Sequence, residues 1–208
     1  MEDFLLGLLM ANMMTAYELH LLIKKNYEGI CSDSIGNIQR ALKILHKKGF
    51  VIFNEATEGK VVKKIFEITP AGRAHFMRWL SSPLAITKAR NMELGKFLLL
   101  GFLSPAKRLA TIDGQIKEIE EELEYLKIVE ASIDEIPAES ITAMRKAYIE
   151  ANKDYMDAMM DSVDADDPIS LMADVSKYAH LTLKFGLDES QFVLEWFQGL
   201  RDAMLLEK

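Results

Sequence analysis

The 208-residue sequence predicts a mainly α-helical protein in two parts, the first of which carries one β-hairpin. Apolar residues recur at spacings of three and four along most of the chain, which is the period of an amphipathic helix. Residues 50–68 depart from this period, with β-branched and aromatic runs on either side of a Glu-Gly-Lys turn. A Ser-Ser-Pro stop separates residues 1–82 from an all-helical part, residues 83–208.

Three helices are expected before the hairpin. Residues 2–12 are apolar enough for a short first helix. Thr15 and Glu18 have the spacing of a capping box, in which each side chain bonds the other residue's amide. A second helix is therefore expected from there to about Tyr27, and Ser32-Asp33-Ser34 offers oxygens to begin the third.

The third helix has an apolar stripe that is expected to face the core. Its members are Ile35, Ile38, Leu42 and Leu45. The helix is expected to stop at Gly49, and Thr69-Pro70 predicts the start of another helix after the hairpin. Three helices, a hairpin and a further helix make a winged helix, with a helix-turn-helix formed by the second and third helices.

The C-terminal part has a second apolar stripe, in a helix that is expected to start at Ser104-Pro105. Its members step by four, three, four and three: Ile112, Ile116, Ile119, Leu123 and Leu126. This is a coiled-coil seam of about two heptads, and we expect it to dimerise the chain. A partner helix from the same chain would cover the stripe equally well. The last helical stretch is expected to break at residues 186–188.

Composition argues against several classes of function. The single cysteine, Cys31, permits no internal disulfide and fits a reducing, cytoplasmic compartment. No apolar run is long enough to span a bilayer. The four histidines have no zinc-site or catalytic spacing, and the acidic turn at residues 164–168 lacks the glycine of a calcium loop. We therefore expect no enzyme activity, no metal and no cofactor.

The charge is distributed unevenly along the chain. The net charge is −7 overall. Residues 1–82 contain 11 Lys and Arg against 8 Asp and Glu, a net charge of +3, whereas residues 83–208 contain 14 against 24, a net charge of −10. Residues 34–64 alone carry 7 basic side chains against 2 acidic ones. Such a basic patch on an acidic protein suits a phosphate backbone, although a solvated helix face would also explain it.

Three motifs support a family resemblance. Residues 15–19 read Thr-Ala-Tyr-Glu-Leu, residues 34–42 read Ser-Ile-Gly-Asn-Ile-Gln-Arg-Ala-Leu, and residues 63–72 read Lys-Lys-Ile-Phe-Glu-Ile-Thr-Pro-Ala-Gly. In this order they resemble the second helix, recognition helix and wing of the PadR family. The resemblance implies a DNA-binding regulator, generally a repressor released by small and often aromatic molecules. Residues 36–40 depart from the family's common Gly-Thr-Leu-Tyr-Pro, so a different operator sequence is expected.

The third helix and the hairpin supply the candidate DNA contacts. They are Tyr17, Ser34, Gly36, Asn37, Gln39, Arg40, Lys43, Lys60, Lys63 and Lys64. Asn and Gln can pair with adenine and Arg with guanine, whereas lysines of a wing suit phosphates. The competing interpretation is an amphipathic helix with a solvated face, beside lysines that protect a sheet edge.

The aromatic and methionine side chains of the C-terminal part have two interpretations. They either form core or line a pliable pocket for a small hydrophobic or aromatic effector. The candidate pocket residues are Tyr148, Tyr155, Met159 and Trp196. The predicted function is a ligand-responsive repressor that binds a pseudo-palindromic operator as a homodimer. The alternative is a helical protein–protein adaptor whose winged helix no longer binds DNA.

Overall fold

The computed structural model describes residues 1–27, 30–58, 61–82, 93–163 and 165–206. The chain divides into two compact units. The N-terminal unit comprises Met1–Leu84 and Asn152–Asp166, and the helical unit comprises Ala85–Ala151 and Asp167–Lys208. The segment Asn152–Asp166 therefore packs with the N-terminal unit, although the sequence grouped it with the C-terminal helices.

Three helices open the N-terminal unit: α1 (Glu2–Ala11), α2 (Ala16–Asn26) and α3 (Ile35–Lys47). The predicted capping box is present at the start of α2. The amide of Thr15 donates to Glu18 Oε2 over 2.7 Å, and the amide of Glu18 donates to Thr15 Oγ1 over 3.1 Å. These two bonds satisfy backbone donors that a helix start leaves free, which fixes where α2 begins.

The wing belongs to a three-stranded antiparallel sheet in the order β1-β3-β2. The hairpin strands are β2 (Val51–Glu58) and β3 (Val61–Ile68), and the added strand is β1 (Met14–Thr15). Phe53 pairs with Phe66 across the hairpin. The two-residue strand β1 is too short to show an alternating pattern, so the sequence predicted only the hairpin.

Two glycines shape the chain on either side of the hairpin, one between α3 and β2 and the other in the first turn of α4 (Pro70–Leu80). Gly49 ends α3 in the left-handed region, with φ at +72°. Thr69 Oγ1 donates to Gly49 O over 2.7 Å and accepts from the Gly72 amide over 3.0 Å, which caps α4 as predicted. A Cβ at Gly72 would lie 2.1 Å from the carbonyl oxygen of Phe50, so only glycine fits there.

The core of the N-terminal unit is formed where α1, α2 and α3 meet the sheet. Its fully buried members include Leu5, Leu6, Leu9, Leu19, Ile23, Ile38, Leu42, Leu45, Val51 and Ile68. Ile35 is 39% exposed, so the expectation that it faces the core was wrong. As the first residue of α3 it lies at the edge of the buried stripe and lines the space between α2, α3 and the hairpin.

The remaining elements follow α4 along the chain. They are α5 (Glu93–Leu98), a 3-10 turn (Leu100–Phe102), α6 (Pro105–Asp134), α7 (Ala138–Ala151), α8 (Lys153–Met160) and α9 (Pro168–Leu206). The predicted break at residues 186–188 is absent, because α9 runs continuously through Gly186. A helical glycine costs about 1 kcal/mol, which packing against α6 offsets. No helix in the described parts of the chain is long and apolar enough to cross a membrane.

The stripe on α6 is covered by α9 of the same chain. Ile112, Ile116, Ile119 and Leu123 are at most 5% exposed and cluster with Leu187 and Leu194. Leu126 is partly buried against the same cluster. The intramolecular partner that the sequence left open is thus the one observed within the chain, and dimerisation through these five residues stays a prediction.

Candidate nucleic-acid interface

The exposed face of α3 lies opposite its buried stripe. Six of the predicted DNA contacts are exposed along it or at its start: Ser34, Gly36, Asn37, Gln39, Arg40 and Lys43. The helical period places Gly36, Arg40 and Lys43 along the middle of this face. Because the opposite side is held in the core, these side chains project together from a rigid helix.

The face has two sides with different neighbours. Gln39 and Lys43 line a groove toward the hairpin, whereas Asn37 and Arg40 lie beside the start of α1. Arg40 has no hydrogen bond or ion pair with any residue that the structure describes. Its guanidinium therefore breaks no hydrogen bond or ion pair with these residues when it contacts a base or a phosphate.

Two carboxylates near Arg40 are already paired. Glu2 Oε2 lies 2.7 Å from Lys48 Nζ, and Asp3 Oδ1 lies 2.8 Å from His75 Nε2. These contacts hold the start of α1 against α3 and α4. The Lys48 ammonium also reduces the negative potential that Glu2 would otherwise place at this edge of the surface.

Two histidines position α3, and sequence reasoning missed both. His20 Nδ1 donates to Asp33 O over 2.6 Å, and His46 Nδ1 donates to Val51 O over 3.1 Å. One bond fixes the loop before α3 and the other fixes the start of the hairpin after it. Histidine has no spacing rule for such backbone contacts, so the sequence carried no signal for them.

The loop before α3 is stabilised differently from the expectation. The Ser34 side chain makes no capping bond. Instead, Ser32 Oγ accepts from the Ser34 amide over 3.3 Å and from Asn37 Nδ2 over 3.5 Å. The hydroxyl of Ser34 thus stays at the exposed start of the helix.

The hairpin presents exposed cations beside α3. Lys63 and Lys64 are exposed on β3, and Lys60 lies outside the described residues. Lys64 Nζ lies 4.1 Å from the centre of the Phe53 ring and 3.9 Å from Glu55 Oε1. These contacts are weak at an exposed site, so Lys64 remains able to exchange them for a phosphate.

The start of α2, α3 and the hairpin enclose a groove of about 1000 Å³. Five predicted DNA contacts line it: Tyr17, Gln39, Lys43, Lys63 and Lys64. Tyr17 is 63% exposed at the first turn of α2. Residues distant in sequence are thereby brought to one surface that combines polar donors with cations.

The four candidate effector residues do not belong to one compact unit. Tyr155 and Met159 lie on α8 in the N-terminal unit, where the Tyr155 hydroxyl donates to Leu9 O. Tyr148 and Trp196 lie in the helical unit. Burial raises the pKa of the Tyr148 phenol, whereas the Trp196 ring is half exposed and contacts Phe97 and Phe197. An effector pocket formed from these residues remains a prediction.

The residues that the structure describes contain no cluster of His, Cys, Asp and Glu that could hold a metal ion. Cys31 is partly buried, and this burial raises the pKa of its thiol. A thiol with a raised pKa is a weaker nucleophile at neutral pH.

A three-helix core with an exposed cationic third helix and an adjoining basic hairpin defines a winged-helix, DNA-binding class of transcriptional regulator. Residues 5–78 match PadR, the Transcriptional regulator PadR-like family. This segment of the chain is therefore similar to the domain that defines that family.

Solved structures resemble the chain over its whole length. Bacillus subtilis PadR in complex with operator DNA shares 19% identity, with 98% of this chain and 96% of that chain covered and a TM-score of 0.68. The same protein in complex with p-coumaric acid shares 18% identity, with 98% of this chain and 97% of that chain covered and a TM-score of 0.59. The Vibrio cholerae virulence activator AphA shares 15% identity, with 100% of this chain and 99% of that chain covered and a TM-score of 0.67. At these identities the likeness concerns the fold. No curated protein matches the chain.

Proposed function

We propose that this protein recognises a specific, pseudo-palindromic operator as a homodimer and regulates transcription from it. The observation that carries the proposal is the surface on which α3 and the hairpin meet. Tyr17, Gln39 and Lys43 line one groove together with Lys63 and Lys64, and Arg40 lies exposed on the same helix. Helix-turn-helix proteins use this combination to read base edges while the wing contacts the backbone.

The dimer that we propose uses a second apolar stripe on α9. Its members are Tyr178, Leu181, Phe185, Phe192 and Trp196, which are 46–66% exposed. They recur at spacings of three, four, seven and four, so they share one helix face. Leu187 and Leu194, which pack on α6, face the other way. A helix with apolar residues on two opposite faces needs a second partner, and a second copy would supply the same stripe by twofold symmetry.

A twofold dimer gives the regulator its specificity. One winged helix reads only a short stretch of groove, whereas two would match half-sites about one helical turn apart, or a multiple of it. Such a role requires access to the chromosome, which agrees with a cytoplasmic location.

We further propose that a small hydrophobic or aromatic effector relieves repression. The Bacillus subtilis protein of similar fold has been solved with p-coumaric acid, which supports this analogy. Tyr148 and Trp196 in the helical unit, with Tyr155 and Met159 on α8, remain the predicted contacts. The effector can act only if its affinity differs between the DNA-bound and free states.

A gel shift with the DNA upstream of the protein's own gene tests the proposal. We expect a discrete complex that specific unlabelled DNA displaces and scrambled DNA does not. Screening planar aromatic compounds by thermal shift, with and without that DNA, tests the effector. If no DNA is retained at low salt, the adaptor interpretation is favoured instead.

A further inference from the structure

The groove beside α3 has an apolar interior that DNA contact does not explain. The rings of Phe53 and Phe66 lie 5.7 Å apart on neighbouring strands, and His46 lies 5.0 Å from Phe53. Leu42 is buried beneath them. A polar sugar-phosphate backbone lying across the groove would leave this apolar interior unfilled.

The walls of the groove are apolar and exposed. Leu21 is 45% exposed, Ile35 is 39% exposed and Val62 is 58% exposed. They come from α2, α3 and β3, and all three line the same groove. Contiguous exposed apolar surface of this kind marks a binding site more often than scattered single residues do.

The rim of the same groove is cationic. Lys43, Lys63 and Lys64 line it. Two carboxylates are close: Glu18, which accepts from the Thr15 amide over 2.7 Å, and Glu55, which lies 3.9 Å from Lys64 Nζ. The three lysines outnumber them, so the edge keeps a positive charge. The groove thus combines an apolar interior with a positive edge, which is complementary to a molecule with an apolar body and one anionic end.

We propose that this groove binds a free amphipathic carboxylate, with its acyl chain on the apolar interior and its carboxylate at the lysine rim. Its volume of about 1000 Å³ accommodates such a ligand. Because Tyr17, Gln39 and Lys43 line the groove, the ligand and DNA cannot occupy this surface together. The ligand would therefore inhibit DNA binding by direct competition, at a site separate from the predicted effector residues.

Calorimetric titration of the full chain with decanoate, below its micellar concentration, tests binding without DNA. We expect saturable binding of decanoate and much weaker binding of decanol and decyltrimethylammonium, which keep the chain but lack the anion. Equal binding of all three compounds would overturn the carboxylate assignment, and binding of none would overturn the site.

A matched pair of variants locates the ligand. Leu21→Gln removes an exposed apolar wall and should lower decanoate affinity about tenfold. Ile30→Gln changes a residue that is 54% exposed but does not line the groove, and it should bind decanoate like the parent chain. Equal affinity in the two variants, with both folded by circular dichroism, would place the ligand elsewhere.

The competition arm rests on the proposed DNA-binding function, whereas the titration does not. At about ten times its own Kd, decanoate should raise the apparent Kd for DNA roughly tenfold. Leu21→Gln should reduce this inhibition when the apparent Kd for DNA is compared with that of the same variant without decanoate. Decanoate binding without any DNA binding would contradict the proposed function and leave the site standing. Simultaneous binding of both would contradict competition.

Discussion

The exposed side chains of α3 differ in what they can contribute to DNA recognition. Gln39 presents an amide that can donate to and accept from adenine, whereas Arg40 and Lys43 supply positive charge and, for Arg40, a planar fork that fits guanine. All three project away from the core, so their effects should be separable from folding.

Replacing Arg40 or Lys43 by Ala should weaken operator binding without lowering thermal stability. Gln39→Ala should reduce discrimination between operator and scrambled DNA, because a bidentate base contact is worth about 1–3 kcal/mol. Fluorescence anisotropy at fixed salt measures both effects. Lys117→Ala, which alters an exposed lysine on α6, is the control and should bind like the parent chain. Unchanged affinity in both the Arg40 and Lys43 variants would remove α3 from the interface.

Lys63 on the wing should contribute affinity without sequence information. Lys63→Ala should weaken operator and scrambled DNA by the same factor. The slope of log K against log salt concentration should become shallower by about one unit, since one phosphate contact fewer releases one counterion fewer. Titrations at several salt concentrations give this slope. A loss confined to the operator would instead indicate base reading by the wing.

Gly72 should be intolerant of any side chain. Gly72→Ala places a Cβ 2.1 Å from the carbonyl of Phe50, and backbone on both sides must shift to relieve the clash. We expect a marked fall in urea-unfolding stability. Gly114→Ala is the control: nothing lies within 4 Å of its Cβ, and alanine should stabilise the helix by up to about 1 kcal/mol. Equal free energies of unfolding for the two variants would mean that the backbone at Phe50 shifts to make room for the added methyl group.

Among the helices and strands, the sequence predicted best the helix ends, because the residues that fix them lie close together in the chain. The capping box at Thr15, the glycine after α3 and the Thr69-Pro70 start each act within a few residues, so the sequence displays them directly. Strand β1 and the unbroken α9 depend on partners far along the chain. β1 exists because it pairs with β3, and α9 continues through Gly186 because α6 covers it.

The apolar stripes of α6 and α9 should respond differently to a buried charge. Ile119→Glu places a carboxylate inside the α6–α9 core, where Ile119 is 5% exposed, and should unfold the helical unit. Phe192→Glu alters a side chain that is 66% exposed and should separate the dimer while leaving the helix content unchanged.

Light scattering and circular dichroism on both variants distinguish these outcomes. A folded monomer for Phe192→Glu supports the α9 interface. A dimer that survives this substitution would move the interface to another surface.

For the whole molecule, charge and motif order predicted the winged helix, the exposed polar face of its third helix and its basic hairpin. The sequence identified an apolar stripe on α6 but not its partner. Periodicity reports that a face is covered and carries no information about which helix covers it. The groove escaped prediction for a related reason, because Leu21, Ile35 and Val62 meet only after three elements have packed together.

We propose above that a pair of winged helices reads a specific DNA site through α3. The most direct test is an anisotropy titration of the full chain against DNA from its own upstream region and against scrambled DNA of equal length, both at physiological salt. We expect tighter binding to the upstream DNA, at two chains per duplex, and loss of this preference in Arg40→Ala. Equal affinity for the two DNAs, or one chain per duplex at saturation, would contradict it.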